Sequence, residues 1–357
     1  MKGHLKRLKY FLKDSHKKPY HIIFKELLQL WIIKKHFPYH YIGRFFYRKD
    51  APINFKDYLS VQEYNQLKES IANRDKKHST IDSIIVDKLY FYFYCLEHKI
   101  PTPKVISYNF RKSFFFNGQT FIIDSSLELV DYFLMVFKSE NISSVFLKPT
   151  QGRKGFGIIL LNEVTIREQS SQVLEALINN SYIHQEVVIQ HSKVNMIHHK
   201  TINTIRIETF IDRKGKIHIL GAFMRFGSGD SVVDNVNSGG FFVYVNIEEG
   251  KLFKKALTSL IKGARACDKH PDSGFVFEDF KIPYFDEVLV LVKHAASFLP
   301  SYIHGWDIAI TQHGPTIIEC NHFPGMLRSE FSYNGFKNKS VFKEIMKDTK
   351  EYHKTKK

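Results

Sequence analysis

Hydrophobic and polar positions divide the chain into three textures. From residue 1 to about residue 80, apolar and basic residues mix at helical spacing, most clearly in "YHIIFKELLQLWIIKKHF" (residues 20–37), and the polar stretch "ANRDKKHST" closes the region. A helical pattern over roughly 86–98 follows, and Ile100-Pro101-Thr102-Pro103 stops it and leads into an extended strand. Beyond that point short apolar runs alternate with turn signals. "SSVFLKPT" reads as a strand, "QGRKGFG" as a glycine-rich turn and "GIILLN" as the returning strand. "SYIHQEVVIQH" is a further strand, and "TINTIRIETFIDRKGKIHILGAFMRFG" is a long hairpin turning at Arg213-Lys214-Gly215. "GGFFVYVNIEEGKL" repeats the hairpin around Glu249-Gly250, residues 284–300 have helical apolar spacing, and "GWDIAITQHGPTIIECNHFPGM" forms a last hairpin turning at His313-Gly314. The pattern predicts an α+β fold built on antiparallel sheets rather than alternating βαβ units.

At 357 residues the chain exceeds the usual size of a single core, so two or three packed domains are expected. There is no uncharged apolar run of eighteen residues, and "MKGHLKRLKYFLKDSHKK" lacks the continuous apolar core of a secretory signal, so a cytoplasmic location is expected. Cys95, Cys267 and Cys320 show no CxxC spacing and read as reduced structural thiols. Eighteen histidines, His191, His198 and His199 among them, match no HExxH pattern or Cys/His quartet, so packing and surface roles are expected for them.

The formal charge of +16 is uneven: residues 1–50 hold thirteen Lys and Arg against Asp14, Glu26 and Asp50, a net +10. Such a patch suits an anionic membrane surface, an acidic polysaccharide or nucleic acid, and it equally suits a solvated face. The apolar segment around Trp31, with Lys25, Lys34 and Lys35, favours membrane or partner docking over nucleic acid. Burial of Leu27, Leu28, Trp31 and Ile32 in the protein's own core is the competing expectation.

The candidate chemistry lies in the last hairpin. Asp307 sits in an apolar strand, where a carboxylate is costly without a positive neighbour. The turn at 312–314 sets Asp307 facing Glu319 across two antiparallel strands, and Glu319 and Asn321, two apart, share a face. Two carboxylates and an amide are an oxygen-only set of the kind that takes Mg²⁺ holding nucleotide phosphates; a structural ion pair between Asp307 and an arginine is the alternative. Gly152, Gly155 and Gly157 sit on a loop between two strands, where exposed amides can cover phosphates. Lys148 lies among apolar neighbours, Lys88 opens a helix after Asp87, and Arg206 alternates with Ile205 and Ile207 and so points to the opposite face.

In their order, "VDKLYFYFYCLEHKIPTPKVI", "VFLKPTQGRKGFG", "HQEVVIQH", "NTIRIET", "WDIAI" and "IIECNHFPGM" resemble the ATP-grasp superfamily of ADP-forming ligases over about residues 80–330. "INTIRIET", "MRFG", "VDNVNSGGFFVYV" and "HGWDIAI" resemble its sugar-transfer-associated group, whose members occur with surface-polysaccharide biosynthesis. The resemblance implies two α+β subdomains gripping ATP, preceded by a basic helical region. The expected boundaries are 1–80 for that region, 81–140 for a linking segment, 141–190 for the lid subdomain, 191–335 for the large subdomain with the metal site, and 336–357 for a basic tail. It implies ATP and Mg²⁺ (or Mn²⁺), with Asp307, Glu319 and Asn321 as metal ligands. Lys88 and Lys148 hold phosphates, Gly152, Gly155 and Gly157 close over them, and Arg206 faces the transferred phosphoryl group. Gln185, Glu186, Val187 and Ile189 form the adenine hinge, and no acid follows them for the ribose, a departure from the commoner pattern. Asn235, Gly239 and Gly240 lie near the acceptor.

The activity so implied joins a carboxylate to an amine through an acylphosphate, on small-molecule or glycan-linked substrates. Phosphate transfer to a hydroxyl, or a basic membrane- or polyanion-binding protein with a degenerate nucleotide site, are the alternatives. A cytoplasmic protein peripheral to the inner membrane face fits either of the first two.

Overall fold

The structure, a computed structural model, describes residues 11–51, 54–75, 79–152, 156–212, 214–229, 234, 240–258, 266–299, 303–322, 324–325, 329–333, 335–337 and 339–354. Helices α1 (Tyr20–Lys34), α2 (Tyr39–Gly43), α3 (Val61–Asp75), α4 (Ser79–Val86) and α5 (Lys88–Glu97) come first. Strands β1 (Val105–Phe110), β2 (Ser113–Phe116) and β3 (Gln119–Ile122) lead to α6 (Ser126–Glu140), then β4 (Ser144–Pro149) and β5 (Ile159–Asn162). Helices α7 (Glu163–Glu168) and α8 (Ser170–Asn179) precede β6 (Ser181–Glu186), which completes a six-stranded antiparallel sheet in the order β3-β2-β1-β6-β4-β5. Residues 105–122, grouped with a linking segment in the sequence, thus share a sheet with the strands around the glycine loop.

After α9 (Ser192–Asn195), strands β7 (Ile205–Ile211), β8 (Ile217–Phe226), β9 (Phe241–Asn246), β10 (Lys251–Thr258) and β11 (Ala266–Cys267) follow in succession. Helix α10 (Phe285–Ser297), strands β12 (Ile303–Thr311) and β13 (Gly314–His322) and helix α11 (Ser340–Lys354) end the described chain. The second sheet is seven-stranded and antiparallel, in the order β11-β10-β9-β8-β7-β12-β13. Helices and antiparallel sheets make this the α+β architecture the patterning predicts.

Each sheet buries one face under helices. Phe114, Leu147 and Leu161 of the six-stranded sheet pack against Leu129 and Phe133 of α6 and Leu177 of α8. Helix α6 begins with a reciprocal cap: the Ser125 hydroxyl accepts from the Glu128 amide, and the Glu128 carboxylate accepts from the Ser125 amide. Trp306, Ile308 and Ile317 of the seven-stranded sheet pack against Val292 and Ala295 of α10 and Cys95 of α5. The three cysteines are free.

The amino-terminal helices form a cluster around Leu30, Tyr41, Phe46 and Tyr58. It is fastened to the end of the chain by Glu330, fully buried, which accepts from Arg44 at 2.7 Å and from the amides of Leu59 (2.6 Å) and Phe336 (3.2 Å). Among the described residues, no helix is long and apolar enough to cross a membrane.

Candidate active site

The faces of the two sheets away from these cores meet around α5 and the Pro101–Pro103 linker. The linker is fixed to β13: the Ile317 amide donates to the Pro101 carbonyl at 2.8 Å, and the Thr102 hydroxyl donates to the Ile317 carbonyl at 2.9 Å. Helix α5 starts where Asp87 caps it, its carboxylate accepting from the amides of Leu89 and Tyr90. Lys88, its first residue, donates from its amide to Thr150 and from its ammonium to the Gly152 carbonyl at 3.2 Å, so the helix start is tied to the entry of the glycine loop.

The register of β12 and β13 sets the acidic pair. The strand ends pair Thr311 with Gly314, and a regular hairpin continued from there brings Ile318 opposite Asp307. Instead the register shifts between Asp307 and Ile308, one extra residue enters β13, and Asp307 pairs with Glu319. This β-bulge turns Glu319 and Asn321 onto the Asp307 face while Ile317 and Cys320 stay in the core. The Asn321 amide donates to Glu319 at 3.0 Å. Gly305, opposite Asn321, has no room for a side chain, since a Cβ there meets Pro324 at 2.5 Å.

The same row continues into β7, where Arg206 pairs with Asp307 across the strands. Its guanidinium grips both oxygens of Asp307, Nη2 at 2.8 Å and Nε closer still. Arg225 of β8 reaches the same carboxylate at 2.9 Å and also lies 3.4 Å from Asp234. Thr204 joins them, accepting from Arg225 Nε at 2.9 Å and donating to Asp234 at 2.5 Å. Burial alone raises the Asp307 carboxyl, but Arg206 and Arg225 overturn that and hold it well below the usual carboxylate range. The positive partner Asp307 requires is therefore arginine, on neighbouring strands. Glu319 goes the other way: burial and the adjacent Asp307 charge raise it.

From the six-stranded sheet, Lys148 on β4 shares the cleft face with Phe146, its ammonium 5.2 Å from that ring, while Val145 and Leu147 turn into the core. Burial pushes Lys148 down to about 8, against the pull of Glu319. Burial lowers Lys88 too, again against Glu319. Arg206 and Arg225 thus hold Asp307, with Asp234 against Arg225 and Glu208 acting on Arg206, while Glu319 feels both lysines.

Beside this cluster is an open cleft lined by Lys88, Phe91, Tyr92, Ile183, Gln185 and the bulge residue Ile318. Gln185 donates to the Pro103 carbonyl at 3.2 Å, while its buried Oε1 has no partner. An unpartnered acceptor beside apolar walls fits a flat base bearing an N–H or NH₂ donor.

The structure brings together Lys88, Lys148, Arg206, Asp307, Glu319 and Asn321, with Gln185 at the cleft. The Glu186 carboxylate accepts from the Lys104 amide at 2.9 Å and faces solvent, and Val187 and Ile189 are exposed at the strand end. Gly152 and Gly157 flank the loop, Gly157 with φ +73°, and Gly240 is buried where β9 begins. Gly155, Asn235 and Gly239 lie outside the described residues. Arg225, Thr204 and Asp234 escaped the sequence reading. For Arg225 the signal was present: like Arg206, it stands between apolar residues of a strand, Met224 and Phe226.

Two carboxylates and a side-chain amide on one face are a donor set that fits a divalent cation once the Asn321 amide, whose nitrogen here donates to Glu319, turns its oxygen toward the pair. Asp307 is shared with Arg206 and Arg225, so a cation binding there takes an oxygen that an arginine holds in this structure.

A family model described as sugar-transfer associated ATP-grasp matches residues 69–347, well over half of the chain. A search of curated proteins finds no match. Among solved structures, the chain is similar to D-alanyl-alanine synthetase A from Vibrio cholerae O1 biovar eltor str. N16961, at 12% identity over 75% of this chain and 66% of that one, with TM-score 0.44. It is also similar to the D-cycloserine synthetase DcsG, at 14% identity over 75% and 70% of the two chains, with TM-score 0.43. A third likeness is the ATP-grasp ligase PsnB complexed with minimal precursor, at 14% identity over 75% and 62%, with TM-score 0.39. The matched part thus spans about two thirds of the length of these proteins.

Proposed function

The chain belongs to the sugar-transfer-associated ATP-grasp family, and from that premise we propose that it is an ATP-dependent, Mg²⁺-requiring, ADP-forming ligase that joins a carboxylate to an amine in surface-polysaccharide biosynthesis. The observation that carries this reading is the convergence of Lys88, Lys148, Arg206 and Arg225 on the Asp307–Glu319 pair, beside a cleft with an unpartnered acceptor. Among the described residues neither Lys88 nor Lys148 has a carboxylate at ion-pair distance, and the negative charge of a polyphosphate would supply that partner.

In the proposed reaction the base occupies the cleft by Gln185 and Ile318. Lys88 and Lys148 bind phosphate oxygens, and the glycine loop, whose entry Lys88 holds, covers them. A substrate carboxylate oxygen attacks the γ-phosphorus and the bond to the β-phosphate oxygen breaks, giving ADP and an acylphosphate. An amine then adds to the acyl carbon, phosphate leaves, and the amine nitrogen gives up its proton. Asp307, Glu319 and Asn321 would hold Mg²⁺, which would supply positive charge to offset that of the phosphates. Arg206 and Arg225 turn to the phosphoryl oxygens as they release part of their hold on Asp307. The lysines and arginines lie in a sheltered cleft, where aimed charge stabilises a phosphoryl transition state far more than it does in water.

The sugar-transfer association of the family supports a sugar-borne carboxylate as the acid. The test is incubation with ATP, Mg²⁺ and uronic acids, free and nucleotide-linked, in the presence of hydroxylamine. Acid-dependent ADP release with hydroxamate formation is the expected result. ADP release that yields a phosphorylated hydroxyl and no hydroxamate would replace the ligase with a phosphotransferase.

A further inference from the structure

Helix α1 carries large apolar residues around most of its circumference, yet only one side of it is covered. Ile23, Leu30 and Lys34 face the cluster around Tyr41, Phe46 and Tyr58, with Lys34 donating to the Tyr58 carbonyl at 2.7 Å. Glu26 fastens the same side, accepting from Lys18 at 2.9 Å and Tyr41 at 2.5 Å. Tyr20, Phe24, Leu28, Trp31 and Ile32 lie on the outer side, with Phe24 69%, Trp31 52% and Ile32 70% exposed. Beyond the helix the apolar surface continues through Phe37, 6.2 Å from the Trp31 ring, and on to Tyr39, 4.8 Å from Phe37. The burial that competed with docking in the sequence reading is realised only at Leu27, which packs partly against the cluster.

The charge around this face is one-sided. All three carboxylates of the first fifty residues are engaged within the protein: Asp14 with Arg48 and Tyr47, Glu26 with Lys18 and Tyr41, and Asp50 with Lys255. Among the described residues, exposed Lys25 on α1, exposed Lys35 just past its last turn and exposed Lys13 have no carboxylate against them. A second copy of the chain on this face brings like charges together, whereas an anionic lipid surface pairs with them. Aromatic residues with polar edges, Trp31, Tyr20 and Tyr39, also suit the headgroup boundary.

We propose that α1 docks the protein onto an anionic membrane surface, its outer face entering the headgroup boundary while Lys25 and Lys35 meet lipid phosphates. The apolar face and the basic residues act together, since either alone binds weakly and reversibly. This docking surface is independent of the nucleotide site.

The chain supplies its own probe. It has two tryptophans, and Trp306 is fully buried, so a change in emission reports Trp31. Full-length protein mixed in low salt with phosphatidylcholine vesicles containing phosphatidylglycerol is expected to float with them and to shift its emission to the blue. Plain phosphatidylcholine vesicles and high salt should remove most of the binding. Phe24→Ser with Ile32→Ser, at exposed positions, should abolish the shift at an unchanged melting temperature, and Lys25→Gln or Lys35→Gln should each weaken binding about fivefold. Three results overturn the proposal: no bound fraction with the anionic vesicles, parent-like binding by the Phe24/Ile32 variant, or a lipid-free emission shift that grows with protein concentration and tracks a dimer in sedimentation.

Discussion

Lys148→Met removes the ammonium from the cleft and keeps the length of the side chain. Burial lowers Lys148 from 10.5 to about 8, and at 2.303RT per pH unit that gap makes the folded state carry about 3 kcal/mol of unfavourable charge at neutral pH. Solvent access along the cleft reduces this to about 2–3 kcal/mol. The sign follows from proton binding. Between pH 8 and 10.5 the unfolded chain holds the proton and the folded chain does not, so wild-type stability rises with pH across that window. Below about pH 8 the lysine is charged in both states and the full penalty stands. Lys148→Met is therefore expected to be more stable than the parent at pH 7 by about 2 kcal/mol and to lose that advantage by about pH 10.5. ATP with Mg²⁺ should raise the melting temperature of the parent and leave the variant unmoved. Denaturant unfolding at a series of pH values, with and without nucleotide, measures both effects. A variant less stable at pH 7, or a difference constant from pH 7 to 10.5, would mean that Lys148 carries no buried charge awaiting an anion.

Asp307→Asn and Glu319→Gln keep shape and remove charge, so ATP turnover should fall at least a thousandfold, on the order of losing a hard cation ligand, in proteins with parent-like circular dichroism; near-parent turnover in either would make these acids structural. Arg225→Met should lower turnover on the order of tenfold to a hundredfold, the worth of a charge-assisted hydrogen bond, while Arg206 continues to hold Asp307. Glu330→Ala should cost about 3–5 kcal/mol because Arg44 and the amides of Leu59 and Phe336 lose its carboxylate, and Arg44→Met with Glu330→Leu should recover only the part that comes from leaving Arg44 unpaired; equal losses would show that the Arg44 charge adds nothing. Hydrogen exchange at Gly152 and Gly157 should slow when an ATP analogue and Mg²⁺ bind, and exchange indifferent to nucleotide would count against a phosphate lid.

The antiparallel hairpins were legible because alternation and turn residues act locally: the turns at Lys214-Gly215, at Gly250 and at Gly314 fall where the sequence put them, Arg213 lying outside the described residues. The charged positions were legible for the opposite reason, that Lys148, Arg206 and Asp307 stand in strands where an unpartnered charge is expensive. The pairing of Asp307 with Glu319 was read from the turn, but it depends on the bulge at Ile318, which no local signal announces and without which Glu319 faces the core side. An arginine partner for Asp307 was among the readings of the sequence, but which arginine was not legible, since Arg206 lies a hundred and one residues away and meets it only once β7 pairs with β12. Sheet membership is non-local in the same way, so the meander of residues 105–122 joined a sheet whose other strands begin at Ser144. For α1, composition spoke for burial and for exposure alike, and only the packed cluster beneath it decided which side stays open.

In the proposed function, Asp307, Glu319 and Asn321 hold a divalent cation together with ATP. This is tested most directly by Mn²⁺ paramagnetic resonance during titration with a non-hydrolysable ATP analogue, a measurement that requires no knowledge of the acid or the amine. Protein-bound Mn²⁺ that appears only with the nucleotide, and is lost in Asp307→Asn and Glu319→Gln, is the predicted result. Nucleotide-dependent Mn²⁺ binding that survives both substitutions, or a parent protein that binds neither metal nor nucleotide, would contradict it.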